Sequence, residues 1–185
     1  MSYIQLRCFI NPPGHPEGAP PELHGVAEFK NSHGWGPMIW TALCSRYKQN
    51  GMAWLMDPDG LKLSAFPNMT SWERATFLSS CDMALVKAED TGRWAEALLA
   101  FSAKHGDPTR VNHLPDVARL ALKALEERPG LVAFCLYASL NEDPWRTYDP
   151  ESDDHRDYDL TKGESHFFVD FELPPQVPEV PSEEI

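Results

Sequence analysis

The sequence predicts an α+β fold: a mostly antiparallel sheet with about four helices packed on one face, followed by an extended acidic C-terminal tail. Three observations lead there. Short segments of alternating apolar residues at 3–10 and 165–173 read as strands near the two ends of the chain. Between them, apolar residues recur at helical spacing in stretches that carry start and stop signals. Strands and helices do not alternate strictly, which disfavours a doubly wound parallel sheet. With 185 residues, 42% of them hydrophobic, one domain over 1–173 and a tail over 174–185 account for the chain. A domain of that size buries about two thirds of its unfolded surface and needs no covalent staples.

Each element has a local reason. Ile4, Leu6, Cys8 and Ile10 alternate along the first strand, and residues 23–29 return antiparallel to it. The intervening segment, Asn11 to Pro21, holds five prolines and two glycines, and reads as a loop of polyproline character. Asn31-Ser32-His33-Gly34-Trp35-Gly36-Pro37 is a turn that feeds a helix, with Pro37 at its first position. Ile39, Trp40, Leu43, Cys44 and Tyr47 share one face of that helix, and Asn50-Gly51 stops it. A short apolar run over 52–56 ends at the turn Asp57-Pro58-Asp59-Gly60.

Thr70-Ser71-Trp72-Glu73 has the form of a capping box, in which Thr70 caps an orphan amide and Glu73 reaches back. Its helix turns Phe77, Leu78 and Cys81 to the core, and 83–86 reads as a short strand or as the end of that helix. A helix over 92–105 carries Trp94, Leu98 and Phe101 on one stripe, with Gly106 as its stop. Pro115 opens a further helix whose stripe reads Leu114, Val117, Ala118, Ala121, Leu122 and Leu125. Residues 131–140 are apolar with little interruption and predict the central strand. Residues 141–163 are polar without periodicity and predict a long acidic loop, and 165–173 predicts a last strand beside the central one.

The formal net charge of −12 is unevenly placed. Residues 151–185 hold eleven acids against Arg156 and Lys162, whereas the first 150 residues hold seventeen acids and fourteen bases. No Lys/Arg cluster capable of tracking a phosphate backbone occurs, which disfavours direct nucleic-acid binding and attraction to anionic membrane. No stretch reaches the roughly 18 apolar residues of a membrane span, and the N-terminus lacks the pattern of a signal peptide. Four widely spaced cysteines in apolar runs are expected to be core thiols in a reducing, cytoplasmic compartment.

The chain has no Gly-rich phosphate loop, HExxH, GxSxG or CxxC signature. Two clusters stand out as binding candidates. Ser32, His33 and Gly34 precede a helix start, where bare amides attract anions, although a loop anchored by Trp35 explains the same residues. Asp153, Asp154, Asp157 and Asp159, with His155 among them and His166 beyond, offer carboxylates for a cation or for acid–base chemistry. A calcium loop beginning at Asp157 would have its glycine, Gly163, one residue late, and runs of like charge are ordinarily solvated. The scattered His15, His24 and His33 meet no zinc spacing, so no metal site or cofactor is predicted. Trp145 sits in a polar stretch between Pro144 and Arg146, as a partner-facing ring or as a loop anchor.

These features predict a non-catalytic, acidic protein-interaction module. Its partner is a protein with a basic surface, and inhibition or decoying of a nucleic-acid-handling protein is one form that role takes. Trp145, Asp153, Asp154, Asp157 and Asp159 would contribute from the loop, and Val177, Val180 and Ile185 would be apolar anchors in the tail. The alternative is a metal-assisted hydrolase or transferase that uses the same acids with a histidine.

Overall fold

The computed structural model describes residues 3–30, 39, 42–43, 70–81, 84–106, 111–138, 146–149, 151–157 and 167–171. Strand β1 (Tyr3–Ile10) pairs antiparallel with β2 (Glu22–Lys30) on one side and with β4 (Leu131–Ala138) on the other. Strand β3 (Ala84–Lys87) pairs antiparallel with the far side of β4. The sheet order is β2-β1-β4-β3-β7, with β7 at Phe167–Phe168, so the apolar segment predicted to be central does lie inside the sheet. The fold is α+β, built on a four-stranded antiparallel sheet.

The last strand departs from expectation. Strand β7 is only Phe167–Phe168, and it pairs parallel with β3, Ala84 facing Phe167 and Leu85 facing Phe168. Both edges of β4 are already occupied by β1 and β3, so a strand arriving later can add only at the outside. Val169 follows it, donating its amide to the Leu85 carbonyl at 2.8 Å and burying its side chain in the core.

Three α-helices occur among the described residues, rather than about four: α1 (Ser71–Ser79), α2 (Thr91–His105) and α3 (Leu114–Glu127). Of the helix expected after Pro37, Ile39, Ala42 and Leu43 are helical, and Ile39 and Leu43 are fully buried in the core. The rest of that helix, the 52–56 run, the 57–60 turn and the tail over 174–185 lie outside the described residues.

The helices pack on one face of the sheet, as predicted. Alternate strand residues Leu6, Cys8, Ala84, Val86, Phe134 and Leu136 join one cluster with Phe77 of α1, Trp94, Leu98 and Phe101 of α2, and Val117 and Ala121 of α3. The other parity, Phe9, Leu85, Ala133 and Cys135, forms a second buried cluster, to which no helix contributes among the described residues. Burial on both faces is why β4 carries no polar alternation, and the area rule makes each large side chain here worth about 2 kcal/mol.

The stripe on α3 needs one correction. Leu122 and Leu125 are exposed, and Ala124 takes the buried position with Ala118 and Ala121. The facing side of α2 supplies Trp94, Leu98 and Phe101, so α3 approaches through small residues and its leucines fall at the rim. Asn112 fixes the turn between the two helices: its Nδ2 donates to Ser102 Oγ at 2.6 Å and its Oδ1 accepts from the Leu114 amide at 3.1 Å.

The proline-rich loop between β1 and β2 folds into two successive turns instead of an extended polyproline segment. The His15 amide donates to the Pro12 carbonyl at 2.9 Å, and the Ala19 amide to the Pro16 carbonyl at 3.1 Å. Gly14 at φ +83° and Gly18 at φ +80° supply the left-handed third positions, which ends any polyproline run. At its base the Asn11 amide donates to the Gly130 carbonyl at 2.8 Å. Gly130 has φ +81°, and a Cβ there would lie 2.0 Å from the Asn11 oxygen, so only glycine fits.

Candidate functional site

Within the stretch expected to be a loop, Arg146–Asp149 (β5) and Asp154–Asp157 (β6) form a two-stranded antiparallel hairpin. Polar residues without an apolar face gave no strand signal, yet backbone pairing needs none. The register sets Arg146 opposite Asp157, Thr147 opposite Arg156, Tyr148 opposite His155 and Asp149 opposite Asp154. Glu151, Ser152 and Asp153 are exposed at the connecting turn. Asp153 has φ +56°, a left-handed conformation that Asp adopts more readily than most residues.

The candidate acids therefore split. Asp153 is at the turn, while Asp154 and Asp157 occupy the first and last positions of β6. Trp145, Asp159, His166, Val177, Val180 and Ile185 lie outside the described residues, as do Ser32, His33 and Gly34 of the helix-start candidate. Among the described residues, no group of three or more His, Cys, Asp or Glu side chains is placed to share a metal ion. None of the helices described is long and apolar enough to cross a membrane.

A second charged constellation lies between α1 and α2, and sequence reasoning found only half of it. The capping box forms as expected: the Glu73 amide donates to Thr70 Oγ1 at 3.3 Å, and Glu73 Oε2 accepts from the Thr70 amide at 3.1 Å and from its hydroxyl at 2.9 Å. The Glu73 side chain is nevertheless 0% exposed. Its other oxygen, Oε1, meets His105 Nε2 at 3.0 Å and Lys104 Nζ at 3.4 Å, both from the last turn of α2. Around this carboxylate the His105 ring lies 4.6 Å from Phe101 and 6.2 Å from Trp72, and Lys104 Nζ lies 5.2 Å from the Trp72 centroid.

A fully buried carboxylate is costly unless it is hydrogen-bonded and charge-paired, and Glu73 has both kinds of partner. The capping pattern identified Glu73 from four adjacent letters, whereas His105 is 32 residues away and gives no local signal. Its place at a helix end next to Gly106 was the one available hint.

One thiol also sits in a polar contact. Arg128, just past α3, donates Nη1 to Cys8 Sγ at 3.2 Å and Nη2 to the Gly25 carbonyl at 3.1 Å, tying that turn to β1 and β2. Burial pushes the Cys8 thiol up from its ordinary value, and the Arg128 contact offsets part of that rise. Cys8, Cys81 and Cys135 carry thiols rather than disulfides.

No family model, curated protein or solved structure matches this chain.

Proposed function

We propose that the chain is a non-catalytic acidic protein-interaction module whose partner is a protein with a basic surface, such as a nucleic-acid-handling protein that it inhibits or decoys. The observation that carries this reading is charge segregation: residues 151–185 hold eleven acids and two bases. The hairpin adds to it, with Glu151 and Asp153 exposed at its turn. An acidic segment of this kind suits recognition of something outside the fold. Such a surface steers a basic partner into encounter and loses that advantage as salt rises.

Asp153, Asp154, Asp157 and Asp159 would carry the attraction, with Trp145, Val177, Val180 and Ile185 as apolar contacts. The core thiols at Cys8 and Cys135 favour a cytoplasmic setting for this module.

The test is affinity capture from native lysate with three baits: the full chain, residues 1–173, and a full chain with Asp153, Asp154, Asp157 and Asp159 changed to Asn. Mass spectrometry should find basic proteins on the first bait, fewer on the second and fewest on the third, with elution by moderate salt. Recovery of the same proteins from all three baits would overturn the reading.

A further inference from the structure

We propose that His105 and Glu73 form a proton-operated clasp between α2 and α1, closed while the imidazole is protonated and loosened when it loses its proton. The feature is independent of the acidic hairpin and of any partner bound there. It rests on one carboxylate oxygen that two potential cations share inside the protein.

Among the described residues, four influences bear on the imidazole. The Glu73 carboxylate, 3.0 Å away and fully buried, favours the charged ring through a direct charge-assisted hydrogen bond. The C-terminal end of α2, where His105 is the last residue, favours a cation as well. Against these stand burial, since His105 is 13% exposed, and the positive charge of Lys104. Lys104 reaches the same oxygen only at 3.4 Å and is 46% exposed, so water and salt screen it. Of these contacts the one to the carboxylate is shorter, drier and direct. Phe101 and Trp72 enclose the ring without adding charge. Among the described residues, Lys104 and His105 are the charged groups that reach this oxygen.

The sign follows from linkage. A histidine whose proton affinity is raised in the folded state stabilises that state fully below its unfolded value, and the contribution disappears as pH rises through the folded value. Glu73 works in the opposite sense, because its contribution disappears when acid protonates the carboxylate. The clasp is therefore tightest in a window between the two titrations, and its alkaline edge is set by His105.

The experiment is an NMR titration of the His105 ring in the full chain, in the wild type, Glu73→Gln and Lys104→Met. The wild-type ring should titrate above an unperturbed histidine, Glu73→Gln should lower its proton affinity about tenfold or more, and Lys104→Met should raise it. A wild-type midpoint at or below that of free histidine overturns the proposal, as does an unchanged midpoint in Glu73→Gln. Should Glu73→Gln fail to fold, the melting difference between wild type and His105→Gln gives the answer. That difference should shrink as pH is raised from about 6 to about 9. A constant difference overturns the clasp.

Discussion

The α1–α2 clasp and the β5–β6 hairpin use carboxylates in opposite ways. Glu73 is sealed from solvent, with Thr70 on one oxygen and His105 and Lys104 on the other. The hairpin keeps Glu151 and Asp153 exposed at its turn and sets Asp149 opposite Asp154. In the first, tertiary structure recruits cations from 31 and 32 residues away. In the second, neighbours in sequence share a sign. The difference teaches what burial demands: a carboxylate sealed inside the fold needs compensation built around it, whereas one at the surface is also hydrated by water.

Four substitutions can break or sharpen that contrast. The largest effect is expected on the shared wall of the clasp and core. Phe101→Ala removes a fully buried ring that touches both Trp72 and His105, and should cost about 3–5 kcal/mol by denaturant unfolding. Next comes Glu73→Ala, which leaves His105 and Lys104 without their shared anion and should cost about 3 kcal/mol. If it costs under about 0.5 kcal/mol, Glu73 belongs with the exposed acids and the contrast fails.

Gly130→Ala tests a purely steric feature for scale. With a left-handed φ and Asn11 against the missing Cβ, it should destabilise by more than about 1 kcal/mol in the same assay. The smallest effect belongs to the hairpin: Glu151→Gln should change unfolding free energy by no more than about 0.5 kcal/mol. A larger loss would mean that the hairpin acids hold the fold as Glu73 does.

What the sequence made legible follows the range of the physics involved. Strands β1 and β2, the capping box, α2 and the apolar β4 are written in neighbouring residues, so alternation and helical spacing were enough. The hairpin was missed because Arg146–Asp149 and Asp154–Asp157 have no apolar face, and only their backbone pairing defines them. The place of Phe167–Phe168 beside β3 depended on which edges were already taken, and local pattern carries no information about that. Leu122 and Leu125 fit the stripe by spacing but not by volume, since the bulk of α2 decided which α3 residues could come close. Of the candidate site, the acidic bias was visible in composition. The partnership of Glu73 with His105 was not, because it exists only after two helices meet.

The two-sided burial of β4 has a mechanical consequence. Phe134 and Leu136 are closed off by the helical layer, and Ala133 and Cys135 are closed off in the opposite cluster. Neither parity of this strand can host a charge, so a register slip by one residue, which in a one-sided sheet would trade wet positions for dry ones, gains nothing here. Alignment of β4 must then be dictated by side-chain volume, large residues toward the helices and mostly small ones away from them, and swapping Ala133 with Phe134 would overpack one layer while leaving a cavity in the other.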